Sequence, residues 1–211
     1  MKKPLSTAIN RLTLSLVLLF SAGLVSLSGC RPVTPIFLDL PQELSRSRDG
    51  GAEVLIGSFA YQASDEGLLG ELLTYGGSQQ IRAPRGSVSV TLANNVARAI
   101  EAQGLTWGWK PSWDGTAGGM RILPPQTRAA LYGNIRRLSV TKQQKFGYAE
   151  YNLTMEIEAF VGLTDKGTIL TRSILVEQQK SAVDKKNLQQ LLAEGFAEAG
   201  RKITADLRSL L

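Results

Sequence analysis

Between Tyr148 and Leu163 the chain alternates strictly. Leu153, Met155, Ile157, Ala159 and Val161 fall on one side, and Asn152, Thr154, Glu156, Glu158 and Phe160 on the other. A two-residue period over that length specifies a β-strand with one buried and one wetter face. Thr164-Asp165-Lys166-Gly167 follows as a hairpin turn, and Thr168 to Gln178 reads as the returning partner. The pair must be antiparallel, and its apolar face must be covered by another layer.

The cover is also legible. Asp184 to Leu210 carries Leu188, Leu191, Leu192, Phe196, Ala199, Ile203, Leu207 and Leu210 at helical spacing, which predicts one long C-terminal helix capped by Asp184. Ser87 to Gln103 predicts a second helix. Val88, Leu92, Val96, Ala99 and Ile100 lie on one stripe, Ser87 is the expected N-cap, and Gly104 is the stop. Strands are expected at Glu53–Tyr61, Leu105–Trp109 and Arg128–Val140, the last with imperfect alternation. Ser64 to Pro84 reads as a long glycine-bearing connection in which Leu68, Leu69, Leu72 and Leu73 form a helical turn or a hydrophobic flap. The expected fold is therefore α+β, a two-layer sandwich of a mainly antiparallel sheet with one mid-chain and one long C-terminal helix.

Residues 1–30 belong to export rather than to that sandwich. Lys2, Lys3 and Arg11 precede an apolar run from Leu14 to Val25, and Leu27-Ser28-Gly29-Cys30 closes it. Twelve apolar residues make a helix of about 18 Å, well short of a hydrocarbon layer of about 30 Å, so a signal segment fits better than a permanent span. The closing four residues resemble the bacterial lipobox. That resemblance implies cleavage between Gly29 and Cys30 and acylation of Cys30, the only cysteine of the chain. Several acyl chains on one residue give stable anchoring where a single chain is marginal. Arg31 in place of aspartate implies, for a Gram-negative source, an outer-membrane protein anchored on the periplasmic face. The expected organisation is a signal peptide at 1–29, an acylated cysteine with a tether or first strand at 30–51, and a periplasmic α+β domain at 52–211. Within the tether, Pro32, Pro35 and Pro41 keep the chain extended, and Ile36 to Leu40 can pair at a sheet edge.

Composition removes whole classes of chemistry. The chain has no histidine and one cysteine, so it lacks histidine-based nucleophilic triads, histidine zinc ligands and an internal disulfide. No catalytic residue, metal ligand or cofactor is expected. Half of the formal charge of +6 sits in Lys2, Lys3 and Arg11, and the remaining excess is concentrated between Arg82 and Lys145. Those basic residues either face anionic lipid or an acidic partner, or belong to separate solvated surfaces. Nucleic acid is not an expected partner at the periplasmic face.

Two segments are candidate partner surfaces. One is the tryptophan cluster Trp107, Trp109 and Trp113; the other is Leu68, Leu69 and Leu72 in the 64–84 connection. Trp107 and Trp109 share one face of a strand, where they anchor a ligand or partner or else close a helix onto the sheet. Glu156 and Glu158 share a strand face about 7 Å apart, a spacing near that of sugar-cleaving acid pairs but also that of an ordinary solvated face. With the lipobox, the Glu53–Gly77 strand and loop, the helix ending near Gly104, the Asp165–Gly167 hairpin and the long final helix, the chain resembles small outer-membrane lipoproteins of the YajG type. That resemblance implies a non-enzymatic accessory or assembly subunit with an envelope protein as partner. The tether, strands and final helix also resemble auxiliary lipoproteins of ABC-type lipid or solute transport systems, which would require an apolar groove between sheet and helix.

Overall fold

The computed structural model of the chain describes residues 33–40, 51–74, 77–111, 113, 115–145, 148–181 and 185–211. The signal segment, the lipobox and Asp184 lie outside them. Eight strands form one sheet: β1 (Val33–Phe37), β2 (Val54–Tyr61), β3 (Leu68–Thr74), β4 (Gly77–Arg82), β5 (Trp107–Trp109), β6 (Ala129–Lys145), β7 (Tyr148–Leu163) and β8 (Thr168–Ser181). The helices are α1 (Ser87–Ala102), α2 (Ala117–Met120), α3 (Lys185–Ile203) and α4 (Leu207–Leu210).

The long strand β6 is the spine. β7 pairs along its whole length from Ala129 opposite Leu163 to Lys145 opposite Tyr148, and β8 pairs antiparallel with β7. The other edge of β6 is shared. Its first half takes β2 in parallel, with β5 beyond, and Val140 in its second half meets Gly70 of β3. β4 pairs antiparallel with β3, and β1 closes the sheet parallel to β4. A Cβ on Gly70 would run into the backbone of Val140, so glycine is what admits β3 to this position.

Helices α1 and α3 pack against each other on one face of the sheet, α1 over β2 and α3 over β7 and β8. Leu92, Val96 and Ile100 of α1 and Leu191, Leu192 and Phe196 of α3 close on Leu131, Ile135, Leu153, Met155 and Val176, all essentially without solvent contact. Each such side chain contributes about 1.5–3 kcal/mol of burial. The expected α+β two-layer architecture, mostly antiparallel with a mid-chain and a C-terminal helix, is the one observed.

Local chemistry explains the element ends. At the end of α1, Gly104 takes φ +76, its N–H donates to Glu101 O, and Leu105 N–H donates to Ile100 O, the double closure of a Schellman turn. At the start, Gly86 holds the cap position at φ +75, while Ser87 is already helical and its hydroxyl donates to Pro84 O; the expected serine cap is therefore displaced by one residue.

Two expectations are corrected. Residues 64–84 contain a β-hairpin rather than a helical turn or flap. Leu69 and Leu72 have the spacing of a helix, but a bulge between Leu68 and Gly70 resets the alternation and brings both to the core face. The C-terminal helix is not continuous over seven turns. It stops at Ile203, where Asp206 adopts φ +59, and Arg172 and Gln103 donate to the carbonyls of Ile203, Ala205 and Thr204. The first strand expected within 30–51 is present at a sheet edge, slightly earlier than Ile36 to Leu40: β1 pairs over its length with β4, and Leu38 and Leu40 are buried. The imperfect alternation of 128–140 has a similar origin. Arg136 is the extra residue of a bulge, so Ile135 and Leu138 both point inward.

Candidate functional site

Trp107 and Trp109 stand on the short edge strand β5, paired with Val54 and Ile56 of β2. Both are half-buried and pack against the helix-side core. The Trp107 indole donates to Glu101 Oε1 of α1 at 2.9 Å, so this pair ties the helix to the edge of the sheet.

Trp113 belongs to a different surface. Its indole is 6% exposed on the sheet face away from the helices, where it joins Met120 and Leu123 in covering Ala52, Leu55 and Ala130. It meets Tyr132 edge-on at 5.0 Å, and Tyr132 stacks on Phe160 at 4.6 Å. Glycines clear the space: a Cβ on Gly57 would lie 3.1 Å from the Tyr132 Cβ, and one on Gly162 would strike the Met120 sulfur. The three tryptophans therefore do not form one exposed cluster. Leu69 and Leu72 are likewise core residues, and Leu68 is half-buried. Of the six residues expected to offer a partner surface, only Trp107, Trp109 and Leu68 retain exposed area, because burial on both sides of the sheet consumes the others.

The rest of the face opposite the helices is uncovered by α1 or α3 and sets charged groups beside the exposed Leu175. Arg136 donates to Gln62 Oε1 at 2.8 Å and to the Glu158 carboxylate, and Arg137 lies 3.6 Å from Glu156. Arg136, Glu156 and Glu158 line a shallow depression of about 380 Å³ together with Ile157, Ser173, Ile174 and Leu175. Each carboxylate thus faces a guanidinium. Among the described residues no group of three or more carboxylates, cysteines or histidines could hold a metal ion.

The basic stretch is dispersed. Arg82 pairs with Asp65 at 2.5 Å, Arg128 lies 3.8 Å from Glu53, and Lys142 sits 5.9 Å from the Tyr151 ring centre. The hydrogen bond from Arg82, assisted by the Gly67 N–H, holds the Asp65 carboxyl below the usual aspartate range. Nearby, burial pushes the Tyr61 phenol up, and its hydroxyl bridges the carbonyls of Leu68 and Leu138. These groups stabilise the junction of β2, β3 and β6.

One feature escaped the sequence reading. At the end of the sheet near the Thr164–Gly167 turn, Arg121, Arg128, Thr127, Asp165 and Leu211 line a depression of about 410 Å³. Beside Arg121 in the chain stands Ile122, 75% exposed. A large apolar residue in a glycine- and proline-rich segment was the available signal, but no local pattern distinguishes it from its buried neighbours Met120 and Leu123.

No protein-family model and no curated protein matches the chain. Its fold is similar to that of a solved Xanthomonas campestris protein assigned to DUF330, with a TM-score of 0.52 at 10% identity over 85% of this chain and 96% of that one. More distant likenesses are a hypothetical protein from Chlamydia trachomatis (TM-score 0.43, 9% identity, 75% of this chain and 97% of that one) and a minor lipoprotein from Acinetobacter baumannii (0.37, 11%, 75% and 94%). At such identities the likeness is one of fold. Among the described residues no helix is long and apolar enough to cross a membrane.

Proposed function

We propose that this chain is a lipid-anchored, non-enzymatic envelope lipoprotein, held at the periplasmic face of an outer membrane through acyl groups on Cys30 and acting as an interaction or assembly subunit of the kind the YajG-type resemblance implies. One observation carries the reading. The lipobox-like Leu27-Ser28-Gly29-Cys30 ends immediately before the first strand, so the expected cleavage would leave the whole folded domain behind an acylated residue. The interior supports interaction over carriage of a lipid or solute. Among the described residues the layer between sheet and helices buries Leu92, Ile100, Phe196, Leu131 and Leu153, and most of the lining of the two depressions described above lies elsewhere.

The test is intact-mass analysis and membrane fractionation of the native protein beside Cys30→Ser. The native protein should carry acyl mass and sediment with outer membrane, while the variant is released. Equal fractionation of the two would overturn the anchor. In the same cells, photo-crosslinkers at Ile122 and Lys110 that captured no envelope protein would remove the interaction role.

A further inference from the structure

Cys30 is three residues from Val33, where β1 begins. An extended chain covers about 3.5 Å per residue, so acyl groups on Cys30 would keep Val33 within roughly 10 Å of the bilayer surface. β1 is bound to β4 from Val33 opposite Ser78 to Phe37 opposite Arg82, so the anchor would grip the sheet directly rather than through a long leader.

The registers show which other residues share that end. Val33 lies opposite Ser78, and Ser78 opposite Leu73. On the far side of the spine Gln143 lies opposite Glu150, and Glu150 opposite Ser181. The contact of Gly70 with Val140, carried three residues along the parallel strands, sets Leu73 level with Gln143 and joins the two rows. Beyond this line lie the last two residues of β6, the first two of β7 and the start of α3. Lys142, Lys145, Lys180, Lys185 and Lys186 stand in the segments that reach this end, against Glu71, Glu150, Asp184 of the sequence and Glu194, the last bonded by Lys180 at 3.0 Å, which leaves a small basic excess. Val33 is 51% and Tyr148 46% exposed there. Lysines draw a surface toward anionic lipid, and a tyrosine suits the headgroup layer, with an apolar ring and a polar tip. The opposite end, at the Thr164–Gly167 turn, lies roughly 45 Å away along β7.

We propose that the sheet end bearing Val33, Tyr148 and the five lysines seats on the headgroups of an anionic phospholipid bilayer, with the Thr164–Gly167 turn directed away from it. The orientation rests on acylation of Cys30. It leaves Ile122 and the depression beside the far turn pointing away from the membrane.

Acylation blocks the only native thiol, so an introduced cysteine is a unique labelling site. The acylated protein carrying Tyr148→Cys, Val33→Cys or Lys166→Cys is labelled with an environment-sensitive fluorophore and placed in phosphatidylethanolamine–phosphatidylglycerol vesicles containing a headgroup-level nitroxide lipid. Labels at 148 and 33 should shift to shorter wavelength and lose emission to the nitroxide, whereas the label at 166 should do neither. Equal responses at all three sites in an acylated protein overturn the orientation alone. An intact mass without acyl groups removes the anchor and the orientation together. Emission loss at 148 that follows protein density instead of nitroxide content assigns this end to a second copy and overturns the proposal.

Discussion

Gly200 gives the sharpest test of how the two helices meet. A Cβ built there would lie 2.6 Å from the carbonyl oxygen of Asn95 and 3.1 Å from the nitrogen of Val96, both backbone atoms of α1. Ordinary contact begins near 3.4 Å, so Gly200→Ala must open the α1–α3 interface by roughly 0.8 Å or twist it. Two effects oppose each other. Alanine in a helix interior is favoured over glycine by about 1 kcal/mol. Overpacking a close contact costs about 1–3 kcal/mol, and a gap of 0.5–1 Å forfeits a quarter to a half of each dispersion contact across the interface. Leu92, Val96 and Ile100 face Phe196 and Ile203 in this core, so many contacts share the loss. The steric cost wins, and net of the alanine gain the destabilisation should be about 1–2 kcal/mol. Urea unfolding followed by circular dichroism should show a lower midpoint at unchanged slope. Gly195→Ala is the graded comparison, because its Cβ meets the Leu153 side-chain terminus, which can change rotamer, instead of backbone. It should cost less than Gly200→Ala. A Gly200→Ala variant as stable as the native protein, or more so, would refute backbone contact between the helices.

Two further outcomes follow from the packing and the charges. Trp113→Ala strips the cover from Leu55 and Ala130 and should cost about 3–5 kcal/mol, read as a lower urea midpoint and faster proteolysis within 111–125; a loss under about 1 kcal/mol would mean that this second core is not cohesive. Asp65 is held below the usual aspartate range by Arg82, so it binds its proton less readily folded than unfolded. Its stabilisation is complete above about pH 4 and fades as pH falls through the folded value, so the deficit of Asp65→Asn should be largest near neutrality and shrink on acidification; a pH-independent deficit would contradict the pairing.

Legibility tracked locality. β7, its hairpin turn and the limits of α1 follow from periods and stop residues within a single stretch of chain, and these agree closely with the structure. The misread elements depend on a neighbouring strand. The Leu68–Gly70 bulge exists because β3 must bury Leu69 and Leu72 while pairing with β4, and nothing in Leu-Leu-Gly-Glu-Leu-Leu distinguishes that from a helical turn. The break after Ile203 likewise needs Arg172 and Gln103, distant in sequence, to satisfy the freed carbonyls. For the candidate surface, the shared face of Trp107 and Trp109 was readable from strand parity. The burial of Trp113 on the opposite side was not, because it depends on glycines at 57 and 162 that only the folded sheet brings beneath it.

By itself the sequence determined the fold class, the antiparallel hairpin, the helical cover and the exclusion of histidine chemistry. Each of these depends on residue type and spacing along one segment. Tertiary structure decided which apolar residues are surface and which are core, and it decided that β1 pairs with β4. Burial and strand pairing are properties of two segments in contact, and a single segment carries no record of which partner it will meet. The same pairing carries the step from a lipobox-like motif to a proposed orientation: the motif is local, but the direction in which the domain would face depends on β1 being fixed to β4.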